Sequence, residues 1–497
     1  MPNRCRARRI GSHCGGRPGK VPEYSLNPAF GDCESRFTEP HPAVPLTRKV
    51  IPMGKTARHL RPLAALLGAA LALSTTACGG ANDASTAAEA VDLSGSISGQ
   101  SISYWSMWKE GEPQQKVIAA AIADFEKETG AKVSVQWQGR SNTEKLVPAL
   151  NTNNVPDLVD GTYAKLAPVI GDTGQASPLT SVYSYTVDGK AVSSLIPEKF
   201  TSKGAFKGED GQPWMVPYSI SSDGIWFDAA KHPELKAKPP ATWDEFMAVL
   251  DKLKASGAAP IAADGDIAGY NSTWFVTALL RLKGAGGFKA LVEDKSGDAW
   301  DDPTVLDAAQ KVETLVKGGY LNSGYNASKF PAQQQLWANG NAALILNGSW
   351  TPTETGSYAA PGFEYSSFQF PAIDGRPASA RVDFIGFAVP AKSQNQAPAQ
   401  RLAAFLLGAK YQNALGTEAK VLPVRPDAPV DPAVASVKAA IDAAPATHLQ
   451  NDGVTFPGYM EKVFFPKDDE LFLGKASASD FVAKMKAAQI QYWKDNG

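Results

Sequence analysis

"SISYWSMWKEGEPQQKVIAAAIADFEKETGAKVSVQW", residues Ser101–Trp137, sets the fold class of this chain. Ser101–Trp105 reads as a strand. Gln114–Thr129 then carries Val117, Ile118, Ala121, Ile122 and Phe125 at the spacing of one helix face. Gly130 supplies the left-handed residue that ends helices, and Lys132–Trp137 reads as a second strand. A helix begins again over Lys145–Leu150, and "VPDLVDG" (Val155–Gly161) gives a third strand. Strands that alternate with helices over short links predict a parallel sheet covered by helices.

The same alternation continues downstream. In "PPATWDEFMAVLDKLKASG" (Pro239–Gly257), Thr242 and Glu245 have capping-box spacing, and Phe246, Leu250 and Leu253 form a core face. Phe330–Trp337 is predicted helical with Gly340 as its stop. Ala342–Leu346 is predicted as a short buried strand, and "NGSW" (Asn347–Trp350) as a turn. A strand over Ile385–Val389 precedes a helix over Pro398–Leu407, and Ser479–Trp493 closes the chain as an amphipathic helix. No internal repeat is present.

Of 497 residues, 43% are hydrophobic and 20% charged, which is ordinary globular composition, and the length favours more than one domain. The first 77 residues carry 12 of the 49 basic side chains but only 4 of the 50 acidic ones. Everything from Cys78 onward is therefore net acidic, which argues against nucleic acid as a partner. The four cysteines are Cys5, Cys14, Cys33 and Cys78, so the body holds neither a disulfide nor a thiolate site. Only His232 and His448 lie beyond residue 78. No metal and no cofactor is expected.

Met53–Arg61 is a short cationic segment followed by the apolar run Leu63–Leu73, the layout of a secretory signal and too short for a comfortable bilayer span. "LSTTACG" (Leu73–Gly79) resembles a bacterial lipoprotein cleavage site, with Thr75 where an aliphatic residue is usual. That resemblance implies residues 53–77 as signal peptide, cleavage before Cys78 and lipidation of its sulfur. Residues 1–52 are expected to be an untranslated or disordered extension, and residues 78–98 a flexible tether.

Six segments in order carry a family resemblance: "FEKETGAKV" (Phe125–Val133), "NVPDLVDG" (Asn154–Gly161), "VPYSISSDGIWFD" (Val216–Asp228), "PPATWDEF" (Pro239–Phe246), "WANGNAALILNGSW" (Trp337–Trp350) and "GFAVPAKSQNQAPAQRLAAFL" (Gly386–Leu406). Together they resemble the extracellular solute-binding proteins of sugar importers, the maltodextrin-binding type. The resemblance implies an α/β, two-lobe periplasmic-binding-protein-like fold of type II, each lobe a mixed sheet flanked by helices, with a hinged cleft between. Lobe 1 would comprise residues 99–216 and 371–425, and lobe 2 residues 217–370 and 426–497. The implied partners are a carbohydrate ligand, the permease subunits of an ABC importer and, through them, an ATPase subunit. The implied setting is a monomer anchored by lipid to the outer face of the cell membrane.

A pyranose offers an apolar face for an aromatic ring and a hydroxyl rim for carboxylates, amides and arginine. Trp108 and Glu110 follow the first strand, Arg140 the second and Asp160 the third; Tyr218 and Ser221 fall in the first crossing segment. The resemblance places Trp274 and Trp350 among the stacking aromatics of lobe 2, with Asp383 beside Arg381 before the strand that re-enters lobe 1. Phe456 and Tyr459 align more loosely as contacts. Each has a plainer reading as core or surface, and Asp160 as a helix N-cap. A receptor for a peptide, polyamine or iron is the alternative, and a glycoside-acting enzyme a remoter one. No nucleophile elbow, phosphate loop or histidine-rich metal motif is present.

Overall fold

The computed structural model describes residues 90–152, 154–201, 206–208, 210–376 and 379–497. The first 52 residues, the signal segment, Cys78 and the start of the tether lie outside the described residues.

The opening segment folds as its pattern dictates. Strand β1 (Ser101–Ser106), helix α1 (Pro113–Thr129) and strand β2 (Lys132–Trp137) form a β–α–β unit in which β1 and β2 pair in parallel, Ser101 opposite Lys132. Gly130 stands at φ 74° and donates to the Glu126 carbonyl, closing α1. Helix α2 spans Asn142–Leu150, starting three residues before the expected Lys145. Strand β3 (Leu158–Thr162) pairs in parallel with the other side of β1.

Strand β4 (Val216–Ser221) and strand β5 (Asp223–Asp228) then lie in two different sheets, separated by Ser222 alone. The chain thus first crosses at Ser222. The expected crossing near Pro217 falls inside β4, which pairs with the first sheet along its length.

The second sheet has four strands, in the order β8–β5–β7–β6, where β6 is Ile261–Ala262, β7 Leu344–Gly348 and β8 Tyr365–Phe368. Helix α3 (Trp243–Ala255) carries the capping box: Thr242 Oγ1 accepts from the Glu245 amide while Glu245 accepts from the Thr242 amide. Such a cap contributes about 1 kcal/mol. Helices α4 (Ala268–Lys283) and α5 (Pro303–Lys317) pack together, and helix α6 (Thr351–Thr355) follows β7 directly.

Strand β9 (Ser379–Arg381) pairs in parallel with β12 (Ala446–His448), and strand β10 (Asp383–Ala388) re-enters the first sheet. The first sheet has six strands, in the order β11–β4–β10–β3–β1–β2, with β11 at Leu422–Pro423. β10 runs antiparallel to both β3 and β4, so the sheet is mixed. Helix α7 (Gln396–Phe405) covers it beside α1. Helix α8 (Ala435–Ala443) packs against β8, and α9 (Phe465–Phe472) and α10 (Ala478–Asn496) complete the second lobe. This is a two-lobe α/β fold with a mixed sheet in each lobe.

Each lobe has its own aromatic core. In lobe 1, Tyr104 meets Phe387 and Phe125 meets Phe405 edge to face. In lobe 2, Phe275 stacks on Trp300 at 6.2 Å and meets Phe481 at 4.9 Å. Each such ring contributes about 1.5–3 kcal/mol by leaving water.

The folded body starts before residue 99. Val91, Leu93 and Ile97 pack on the lobe 1 core, and Arg401 donates to the Gly95 carbonyl. The end of the expected flexible tether is thus ordered.

Candidate functional site

Between the sheets lies a cavity of about 370 Å³, lined from both lobes and the segments that join them. Cavities of this size sit at the small end of the usual ~300–1,000 Å³ for small-molecule sites.

The lobe 1 wall is built from the loop after β1. Trp108 is buried, and its indole Nε1 donates to the Tyr218 hydroxyl at 2.8 Å. That hydroxyl donates in turn to Asp160 Oδ2 at 2.6 Å, while Asp160 Oδ1 accepts from the Met107 amide at 2.7 Å. The Asn142 side-chain Nδ2 donates to the Asp160 backbone carbonyl at 2.5 Å. Over the outer face of Trp108 lies the Arg140 guanidinium, 4.6 Å from the ring centre. It is held in place by the Met107 carbonyl at 2.8 Å and by both oxygens of Glu112 at 3.0 Å. A planar guanidinium fits a carboxylate and a ring face at once, which a lysine does not.

The lobe 2 wall follows from "NGSW". β7 ends at Gly348, and the Trp350 ring folds back over it: a Cβ on Gly348 would stand 2.2 Å from Trp350 ring carbons. Only glycine leaves that space. Tyr270, in the first turn of α4, stacks beside Trp350 at 6.2 Å and 26°. Trp350 Nε1 is buried and has no hydrogen-bond partner. One turn on, Glu354 faces the cavity. It reaches solvent through the cleft yet is enclosed by protein on most sides. That desolvation pushes its carboxyl up to about 7, against the pull of Arg140 across the cleft and of the Gln334 side chain, and with a push from Glu112 and Asp264.

The joining segments supply Ser219, Ser221, Arg381, Asp383 and Ile385. Arg381 Nη1 donates to Asp223 Oδ1 at 2.5 Å, Nη2 lies 3.9 Å from Asp383 Oδ2, and the guanidinium stands 5.8 Å from the Trp350 ring centre. Asp383 is buried, its Oδ1 has no partner, and burial lifts its carboxyl to about 6 despite Arg381.

Of the residues singled out in the sequence, Trp108, Arg140, Ser221, Trp350, Arg381 and Asp383 line this cavity together. Asp160 and Tyr218 do not; they are fully buried behind Trp108 and hold it. Nor is Asp160 an N-cap, since it lies within β3. Glu110 is exposed and outside the cavity. Trp274 lies in the lobe 2 core, stacked on Phe246 and edge-on to Phe370. Position along the helix explains this: Tyr270 and Trp274 share one face of α4, but Tyr270, a turn earlier at the helix start, reaches the cavity while Trp274 sits a turn deeper in the core. Tyr459 is buried and donates to Gln489, and Phe456 packs on Trp493, so neither reaches the cleft. Tyr270, Glu112 and Glu354 were not singled out from the sequence. Glu354 lies four residues after Trp350, a helical spacing hidden by reading "NGSW" as a turn alone.

The sequence profile of the bacterial extracellular solute-binding proteins matches residues 109–413. The chain belongs to that family. This solute-binding protein is 23% identical over 236 residues to the diacetylchitobiose binding protein NgcE of Streptomyces coelicolor, spanning 47% of this chain and 50% of that one. It is also 23% identical over 336 residues to the multiple sugar-binding protein of Streptococcus mutans, spanning 66% and 76%. The chain thus spans only about half the length of the first of these relatives. A solved chitin oligosaccharide binding protein superposes with a TM-score of 0.65 at 20% identity, over 79% of this chain and 100% of the other. The apo form of RafE from Streptococcus pneumoniae does so at 0.62 and 19%, over 80% and 99%. At these identities the structural likeness establishes the shared fold. The family is one of binding proteins, and it works outside the cytoplasm.

Proposed function

We propose that this solute-binding protein is the lipid-anchored receptor of an ABC sugar importer, holding a mono- or oligosaccharide in the interlobe cleft. The observation that carries the reading is the pairing of ring faces with unclaimed carboxylates around one cavity. Trp108, Tyr270 and Trp350 offer ring surfaces; Glu354 offers a carboxylate at the cavity wall, and Asp383 Oδ1 has no hydrogen-bond partner. Carbohydrate presents the complement of both. The names of the relatives from Streptomyces coelicolor and Streptococcus mutans support a sugar as the solute.

Ligand contacts divide between Trp108 and Arg140 on one lobe and Tyr270, Trp350 and Glu354 on the other. A ligand that touches both walls favours the approach of the lobes, because only differential contact shifts such an equilibrium. No bond is made or broken. The closed monomer then presents both lobes to a pair of permease subunits, with a cytoplasmic ATPase subunit supplying the energy. Cys78 carries the acyl anchor, each buried methylene adding ~0.8 kcal/mol of membrane affinity.

Calorimetry of the chain from Cys78 onward, with Cys78→Ser, against mono- and oligosaccharides tests the solute class, with spermidine, a tripeptide and ferric citrate as counter-ligands. Heat from a saccharide supports the reading. Heat only from a counter-ligand overturns it. Release of the Cys78→Ser protein from intact cells tests the anchor.

A further inference from the structure

The charges around the cleft are unevenly matched. Both arginines of the cavity wall are engaged by protein: Arg140 by Glu112 through two hydrogen bonds and by the Met107 carbonyl, Arg381 by Asp223. Neither is free to swing toward a ligand without breaking those contacts. Lys165 sits at the exposed rim, its amine donating to the Arg140 carbonyl at 3.0 Å. On the opposite wall, Glu354 has no lysine or arginine within ion-pair distance among the described residues; on the joining segments, Asp383 Oδ1 has no hydrogen-bond partner, while its Oδ2 lies 3.9 Å from Arg381. The inner wall thus presents carboxylate acceptors, with the Trp350 indole N–H and Arg381 Nε as donors without a hydrogen-bond partner.

We infer, resting on the carbohydrate reading of the cleft, that its inner wall is a charge filter with Glu354 as the selecting residue: it admits neutral and amine-bearing glycosides and refuses those that place a carboxylate or phosphate there. An anionic substituent would face two carboxylates as the cleft closes and water leaves, and like charges brought together out of water repel strongly. A protonated amine in the same place gains a charge-assisted hydrogen bond, roughly twice as strong as a neutral one. A hydroxyl gains an ordinary one.

Three matched disaccharides, cellobiose, chitobiose with free amines and cellobiouronic acid, test the filter by calorimetry on the detergent-purified full chain, the amine at pH 7, where it is still largely protonated, and the acid at both pH 7 and pH 8. Glucose, glucosamine and glucuronate, then galactose, galactosamine and galacturonate, extend the comparison to other rings. In any series that binds, the acid should be weaker than the neutral sugar by about tenfold or more, which is about 1.4 kcal/mol. Glu354→Gln should narrow that gap and lower the preference for the amine, while Glu354→Asp keeps both; thermal melting of each variant confirms that it is folded. An acid that binds as tightly as its neutral counterpart overturns the filter, as does a gap unchanged in Glu354→Gln. Binding of no saccharide in any series overturns the carbohydrate reading itself, and the filter with it.

Discussion

Tyr218→Phe removes one oxygen atom from the buried chain behind Trp108. That oxygen accepts from the Trp108 indole at 2.8 Å and donates to Asp160 at 2.6 Å, and all three side chains are buried. Two groups lose their partner at once. A buried donor or acceptor left unpaired costs ~1–3 kcal/mol, more when it is charged. Phenylalanine recovers part of this, because no hydroxyl has to be desolvated. The net loss should be about 2–3 kcal/mol of stability. The Asp160 carboxyl, already lifted to about 6 by burial with Tyr218 as its strongest counterweight, should titrate higher still. Urea denaturation followed by tryptophan fluorescence reads the first effect, with m unchanged, and the pH dependence of that midpoint reads the second. Affinity for a bound saccharide should fall only as far as the Trp108 ring loses its fixed position. A midpoint shift worth under about 0.5 kcal/mol would refute the reasoning, because it would mean that the indole and carboxylate find other partners.

Trp350→Ala should weaken saccharide binding by about 1 kcal/mol or more in calorimetry, the scale of a lost aromatic stacking contact. Gly348→Ala should do the same without touching the ring chemically, since the added Cβ takes the space the Trp350 ring occupies. Trp274→Ala should cost about 3–5 kcal/mol in denaturation, as a truncated core tryptophan does, with little change in affinity per folded molecule. Asp160 and Asp383 both titrate near 6, above the ordinary carboxylate value, so the folded state holds more protons than the unfolded one between about pH 4 and 6. Their contribution to stability is present below that window and lost as pH rises through 6. Asp383→Asn should flatten the decline by about 1–3 kcal/mol across it, and an unchanged pH profile would exclude Asp383 as a source.

Features that depend on local chain chemistry were legible in the sequence. The β1–α1–β2 relay, its Gly130 stop and the Thr242–Glu245 cap each involve residues a few positions apart, so spacing alone specifies them. Trp350 was legible because a glycine precedes it at the end of a strand. Features set by rotation about an element's axis were not. Tyr218 and Asp160 stand at strand positions that reach the cleft, but the period-two alternation of β4 turns Tyr218 inward and leaves Ser219 and Ser221 to the cavity. Tyr270 and Trp274 share a face of α4 and differ instead in depth along its axis, which spacing does not reveal either. Val91, Leu93 and Ile97 were hidden by the polar, small residues around them, because three apolar side chains in seven positions carry no clear period.

The three-point hold on Arg140 bears on the order of events during capture. A guanidinium clamped by Glu112 and the Met107 carbonyl, lying on a tryptophan that is itself tied to Tyr218, has little rotational freedom left to surrender. An incoming ring that lands on this half of the groove meets a surface already shaped for it, and forfeits little entropy in ordering side chains there. First contact should therefore form on the side of Trp108, and the encounter rate should respond more to substitutions at Arg140 than at Glu354, whose effect should fall mainly on the rate of escape.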